Sequence, residues 1–330
     1  MGSQGALREL PLVHESSAFR RVLQLAQRVA ATDHPVLIEG ESGTGKARIA
    51  RAIHQMSRRQ ERPLVIWSAS EHPSTLAAST LFGVVKGAFT GADRTSAGAL
   101  ESADGGTFIL DDVDKLDPSV QQLLLRFLDE FTIRKVGCHT DHKLDVRLIF
   151  TTNRNLEQLT QGGQFLSDFY WRIRGVRLEI PPLRKRMEDI RHLAEQMLKC
   201  FSSGCTDFRP FSPEALEVLQ DHPWPGNVRE LASVIQTLVV LGPSNGAYTG
   251  ADLRNSLITC SGTRSREPQD ELNRLRMMPV ELRKSAAVIK EALELTRFNG
   301  RKAAFALNFP ERSFRRYMKQ SGLKVRDSSP

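Results

Sequence analysis

At 330 residues with 40% hydrophobic content, the chain can bury a substantial core and is long enough for two or three compact units. No apolar run reaches the roughly 18 residues that a membrane-spanning helix needs, and residues 1–10 lack the charged-then-apolar pattern of a secretory signal, so a cytoplasmic protein without membrane partners is expected. The formal charge of +8 sits at one end, since Glu281 to Arg326 holds twelve Lys or Arg against four Glu, the pattern of a nucleic-acid-binding module on a neutral body.

In chain order, apolar residues at Phe19, Val22, Leu23, Leu25, Ala26 and Val29 recur at helical spacing and predict a helix over 19–30 that ends before Asp33 and Pro35. Val36-Leu37-Ile38 reads as a short buried strand, Gly40 to Lys46 as a glycine loop and Ala47 to Met56 as a helix. Leu64 to Trp67 and Thr107 to Leu110 are strand-like, and Asp117-Pro118 supplies an N-cap and a first-turn proline for the next helix. Phe131 to Val136 and Lys143 to Phe150 read as extended. Strands alternating with helices predict a mostly parallel sheet covered on both faces, an α/β fold.

Past Pro181-Pro182 the pattern turns helical, with helices predicted over 189–201, 213–219 and 228–241. Thr259 to Pro279 mixes polar residues with two prolines and reads as a linker. Val288, Ile289, Ala292, Leu293 and Leu295 form one helical face beyond it, residues 302–307 a short second helix, and Glu311 to Gln320 a third after the break at Asn308-Phe309-Pro310. Phe314, Tyr317 and Met318 share one side of that third helix. An apolar stripe inward and a basic face outward is the layout of a helix-turn-helix. Cys138, Cys200, Cys205 and Cys260 show no CxxC pairing, so reduced, unliganded thiols are expected.

Gly40-Glu41-Ser42-Gly43-Thr44-Gly45-Lys46 matches GxxxxGK between a strand and a helix. Glycines let backbone N–H groups approach phosphates, Lys46 can reach the terminal ones, and the helix N-terminus favours negative charge. Ala47 follows, where a P-loop usually offers magnesium a hydroxyl. Phe108-Ile109-Leu110 then drives the acidic pair Asp111-Asp112 to the sheet edge, as in a Walker B strand. Asp111 would hold Mg2+ through water, and Asp112 would polarise the attacking water. Between these motifs lies Gly87-Ala88-Phe89-Thr90-Gly91-Ala92, whose small residues cannot bury Phe89 locally, so the ring is either tucked under the fold or presented outward.

That hexapeptide is the GAFTGA signature, and with it nearly the whole chain resembles the AAA+ activators of sigma-54 RNA polymerase, of the type lacking an N-terminal regulatory domain. The resemblance implies an ATPase with ATP and Mg2+ as cofactors, Gly87 to Ala92 contacting sigma-54, and residues 131–143 forming a second, hairpin-like insertion. It makes Asn153 of Thr151-Thr152-Asn153-Arg154 the sensor I residue, Arg172 the arginine finger acting on a neighbour's nucleotide in a hexameric ring, and Arg229 of Trp224 to Leu231 the sensor II residue. Seven positions depart from the family pattern, four of them in the ATPase parts. Ala47 stands for Glu, Leu166 for an Arg, Asp112 for the Walker B Glu, and Ser68 for the Asn that contacts this Glu and switches it. Asp is one methylene shorter, and a misplacement of about 1 Å can cost on the order of a hundredfold in rate. Thr80, Val84 and Val85 replace Glu, His and Glu before the loop.

Implied domains are the ATPase body with its GAFTGA loop over 1–180, a helical lid over 181–258, a linker over 259–280 and a Fis-like helix-turn-helix over 281–330. In the last, Arg301, Lys302, Arg312, Ser313, Arg315, Arg316 and Lys319 would face upstream activating DNA. Almost no chain precedes the ATPase, so control is expected from expression, an inhibitory protein or a partner activator. Two alternatives stand beside a self-sufficient activator. One is a hydrolysis-weak subunit of a mixed ring, the other a DNA-binding repressor that uses nucleotide only to oligomerise.

Overall fold

Within each inner strand, neighbouring side chains enter different apolar layers. Val36 and Ile38 of β1 (Val36–Glu39) pack with Ile109 and Ile149 beneath the helices Ser17–Ala30 and Lys46–Gln55. Leu37 joins Phe108, Leu110, Leu148 and Phe150 on the other side, against the helices Ser74–Phe82, Pro118–Glu130 and Ser167–Ile173. Strand side chains alternate across the pleat, so a continuous apolar run feeds two cores at once. The computed structural model describes residues 15–89, 92–202, 209–243, 246–260, 286–295, 303–304, 307, 309 and 311–320. Among the described residues, no helix is long and apolar enough to cross a membrane.

The remaining strands are β2 (Leu64–Ser68), β3 (Gly83–Val84), β4 (Ser96–Ala97), β5 (Thr107–Asp111), β6 (Thr132–Ile133), β7 (His142–Lys143), β8 (Arg147–Thr152) and β9 (Val176–Glu179). Four of them join β1 in a parallel sheet of order β2-β5-β8-β1-β9. Register sets Ser68 beside Asp111 and Glu39 beside Thr152. The glycine loop after β1, the acidic pair ending β5 and the Asn153 turn after β8 therefore emerge along one edge, where open α/β sheets bind ligands. The expected helix-covered parallel sheet is present.

The chain divides into two units, Met1–Leu257 and Ile258–Pro330. In the first, the helices Met187–Phe201, Pro213–Asp221 and Asn227–Leu241 follow the sheet, with Trp224 fully buried between them and donating from Nε1 to Leu219 O at 2.8 Å. In the second, the helices Ala286–Leu295 and Glu311–Gln320 bring Ile289, Ala292, Leu293, Leu307, Phe314 and Met318 into one small core. Of the DNA-facing set, Arg301 and Lys302 lie outside the described residues, as do the side chains of Arg312, Arg315 and Lys319. Ser313 is half-buried, and Arg316 is exposed with its guanidinium 5.4 Å from the Tyr317 ring centroid.

Several local expectations change. Phe131 does not open a strand. It closes the preceding helix in a left-handed conformation, φ 51°, and pairing begins at Thr132. The extended stretch expected over 143–150 splits into β7 and β8. Asp117 sits at the N-cap position without a side-chain capping bond, while Pro118 does open the helix. The helix Ser74–Phe82 and strand β9 carry no assignment in the sequence reading, because Ser, Thr and Ala blur the period of the first and alternating charge interrupts the second. The helix Gly250–Cys260 runs past the expected start of the linker at Thr259.

The first helix owes both ends to distant residues. Ser16 Oγ accepts from Phe19 N at 3.2 Å, while Ser16 N and Oγ donate to the buried Asp189 carboxylate at 2.8 and 3.0 Å. At the other end, buried Arg147 donates to Ala30 O at 2.9 Å and Val29 O at 2.8 Å. A cation on terminal carbonyls complements the helix dipole.

Candidate functional site

The glycine loop turns on left-handed positions at Gly43 (φ 78°) and Gly45 (φ 102°) and leads into the helix Lys46–Gln55, which has no side-chain N-cap. Its first N–H groups are thus unclaimed by a capping side chain, the arrangement that binds anions. Lys46 Nζ donates to Gly40 O at 2.9 Å and Glu41 O at 3.1 Å. Burial pushes this ammonium below the usual lysine range, and Asp111 and Asp112 oppose the shift. Lys46, Ala47, Asp111, Asp112, Asn153 and Arg229 line one cleft of about 420 Å3, together with Ser42, Gly43 and Gly45 of the loop. Gly40, Glu41 and Thr44 shape the loop from outside this cleft, with Thr44 Oγ1 donating to Glu41 O at 2.8 Å.

Hydroxyl groups meet each carboxylate after β5. Thr151 Oγ1 donates to Asp111 Oδ1, and Thr152 Oγ1 donates to Asp114 Oδ1 at 2.7 Å. Asp112 adopts a left-handed conformation, φ 56°, and its Oδ2 accepts from Ser70 Oγ at 3.0 Å. Ser68, at the position of the family's switch Asn, does not itself touch Asp112. Its Oγ lies 2.9 Å from Ser70 Oγ, so Ser68 reaches Asp112 through Ser70. The sequence assigns no role to Ser70 or Thr151: Thr151 acquires one from the parallel register of β5 and β8, and Ser70 from the single helical turn Ala69–Glu71 that follows β2.

The lid closes onto the loop through the segment that carries Arg229. Arg229 Nη1 donates to Ser42 Oγ at 2.8 Å, Val228 N to Gly43 O at 3.0 Å, and Asn227 Nδ2 to Ser42 O at 3.0 Å. A Cβ on Gly43 would stand 2.3 Å from Gly226 O, so glycine is required for this approach. Asn227 Nδ2 also donates to Glu41 Oε2 at 3.2 Å, and Arg184 grips both Glu41 oxygens at 2.7 and 2.6 Å. The Arg184 bonds pull the Glu41 carboxyl down to about 2. Arg186 donates to Thr44 O at 2.9 Å and lies 4.5 Å from the Phe19 ring centroid, and burial lowers its guanidinium to about 10. Asn227, Arg184 and Arg186 are loop contacts that sequence reasoning missed.

Arg172 stays apart from the cleft of its own chain. Half-exposed, it donates to Leu128 O at 3.1 Å and pairs with Asp129 at 3.1 Å. Leu166 packs against the core, and its N–H donates to Gln121 Oε1 at 2.8 Å.

The glycine-rich hexapeptide sits on a stem formed by antiparallel β3 and β4. Gly87 N donates to Ala92 O at 2.9 Å and Ala92 N to Phe89 O at 3.0 Å. Phe89 is 46% exposed, which selects the outward of the two placements left open by the sequence. Thr90 and Gly91 lie outside the described residues. The expected second insertion is a hairpin of β6 and β7, and it touches the first: Val85 N donates to Val136 O at 3.1 Å and Val136 N to Gly83 O at 2.9 Å. Of the altered residues before the loop, Thr80 accepts from Trp67 Nε1 at 3.3 Å and Val84 bridges to Val136.

Residues 12–179 match the sigma-54 interaction domain family, and residues 184–269 match the AAA+ ATPase lid domain family. The chain is 40% identical over 236 residues to the DNA-binding transcriptional regulator NtrC of Rhizobium meliloti, which covers 72% of this chain and 49% of NtrC. It is 42% identical over 231 residues to the transcriptional regulatory protein ZraR of Klebsiella oxytoca, covering 70% and 52%. The chain thus spans about half the length of these curated relatives. Among solved structures, NtrX from Brucella abortus in complex with ADP superposes with a TM-score of 0.70 at 30% identity, covering 96% of this chain and 70% of that one.

Proposed function

The chain belongs to the sigma-54 interaction domain family of AAA+ ATPases, and from that membership we propose that it is a sigma-54-dependent transcription activator that couples ATP hydrolysis to movement of the Phe89 loop. The observation that carries this reading is the convergence of Lys46, Asp111, Asp112, Asn153 and Arg229 on one cleft of about 420 Å3. Lys46 and the loop N–H groups suit a triphosphate. Asp111, at the sheet edge with no hydroxyl at Ala47 to assist it, suits Mg2+ held partly by water and phosphate oxygens. Bound there, the metal would neutralise charge on the terminal phosphates. Asp112 would accept a proton from the attacking water, Asn153 would orient near the terminal phosphate, and Arg229 would tie lid position to the loop.

Arg172, held at the surface by Asp129, would complete a neighbouring copy's cleft, which makes the active form a ring, a hexamer by family resemblance. Gly87 to Ala92 would contact sigma-54. Residues 1–180 form the ATPase body in this reading and 181–258 the lid, while 259–280 link to a helix-turn-helix over 281–330 that binds DNA upstream of promoters. The small apolar core beneath Phe314 and Met318 supports that last assignment. Purified protein should hydrolyse Mg2+-ATP and open a sigma-54 promoter only when ATP is present, and Lys46→Ala should lose both activities. A wild type that opens the promoter equally well without nucleotide would overturn the proposal.

A further inference from the structure

A chain of two hydroxyls ends on Asp112. Ser70 Oγ donates to Asp112 Oδ2 at 3.0 Å and lies 2.9 Å from Ser68 Oγ. Each serine has one proton, and an ionised carboxylate only accepts. Ser70 must therefore spend its proton on Asp112, and Ser68 must donate to Ser70. All donors in the chain then point toward the carboxylate, the orientation in which successive hydrogen bonds polarise one another.

The far end of this chain is anchored. Ser68 and Trp67 are buried at the end of β2, and the His72 ring stacks on Trp67 with centroids 4.6 Å apart while its Nδ1 meets Ser68 O at 2.9 Å. At the near end, the backbone of Asp112 is tied to β8 only by a long 3.4 Å bond from its N–H to Thr151 Oγ1. Asp112 Oδ1 has no hydrogen-bond partner among the described residues, which leaves it open for a water proton.

We propose that Ser70 is a positioning residue for hydrolysis: it holds Asp112 Oδ2, Ser68 holds Ser70, and the pair of hydroxyls sets where the short Asp112 side chain presents Oδ1. This rests on the ATPase reading above. Ser70 is exposed, so its replacement leaves the core untouched.

The test is steady-state Mg2+-ATP turnover of the full chain, with nucleotide binding followed by a fluorescent ATP analogue. Ser70→Ala should lower kcat about tenfold, the scale of losing one hydrogen bond to a charged group, with KM held within about twofold. Ser70→Thr, which keeps the hydroxyl, should restore most of the rate, and Ser68→Ala should fall between. In an Asp112→Asn background Ser70→Ala should change nothing further. A kcat unaffected by Ser70→Ala, or the same drop in the Asp112→Asn background, overturns the relay and leaves the ATPase reading intact. A wild type that binds the analogue but never turns over ATP overturns both.

Discussion

Gly137 and Ala88, from the two hairpin insertions, approach so closely that a Cβ on Gly137 would stand 2.5 Å from the Ala88 Cβ. Gly137 also has φ 81°, a left-handed conformation in which a side chain is strained. Gly137→Val should therefore push the Phe89 loop away from its neighbour. Promoter opening should fall by about tenfold or more while ATP turnover stays within about twofold, since about 1 Å of displacement is costly only where geometry matters. Assaying both activities on one preparation checks it, and parallel loss of the two would show that the hairpin contact is not specific to output.

Gly43 and Gly226 make the corresponding contact between loop and lid. Gly43→Ala places a methyl 2.3 Å from Gly226 O at a position with φ 78°, so loop and lid must part. Nucleotide affinity, measured by titration with a fluorescent ATP analogue, should weaken by about tenfold, the equivalent of roughly 1.4 kcal/mol. Undiminished affinity would mean that lid contact contributes nothing to binding.

The Glu41–Arg184 pair predicts a pH dependence of stability. The Glu41 carboxyl is lowered from 4.5 to about 2 in the fold. A depressed folded value contributes stability that is present above about pH 4.5 and is lost as pH falls toward 2. The side chains are nearly half exposed, 45% for Arg184 and 43% for Glu41, so solvent screening limits the contribution to about 1 kcal/mol or less. Urea melts of wild type and Glu41→Gln should differ at pH 6 and converge near pH 2, and a gap independent of pH would rule the pair out as its source.

Arg147 is 1% exposed and holds the carbonyls of Val29 and Ala30. Arg147→Ala removes two charge-assisted bonds at a helix end and leaves a void, which should cost about 3–5 kcal/mol. Arg147→Met refills the volume without the donors and should recover part of that loss. Denaturant unfolding distinguishes them, and two equally mild variants would mean that the capping bonds contribute little.

Motifs whose chemistry depends on neighbours in the chain were readable. Gly40 to Lys46, Asp111-Asp112 and Gly87 to Ala92 each carry their meaning within a few residues, because local backbone conformation and side-chain type decide what a short loop can touch. The alternation of strands with helices likewise announced a parallel sheet covered on both faces. Ser68 was legible as a departure at the switch position, but what it touches was not. Its link to Asp112 passes through Ser70, whose place depends on the turn that follows β2. Phe131 and the divided 143–150 stretch were misplaced because an aromatic closes the helix where a strand was expected and the break at 144–146 keeps buried Leu144 and Val146, so neither boundary has a strong local signal.

From its residues alone, the chain determined its phosphate-binding loop, its acidic strand end, its helix-covered sheet and the lone aromatic of its glycine-rich hexapeptide. Only the tertiary structure decided which way Phe89 faces, how Arg147 closes the first helix, how Asn227 and Arg229 clamp the loop, and which hydroxyl steadies Asp112. Those relationships join positions tens to well over a hundred residues apart, and sheet register and close backbone approach, not local spacing, bring them within hydrogen-bonding distance.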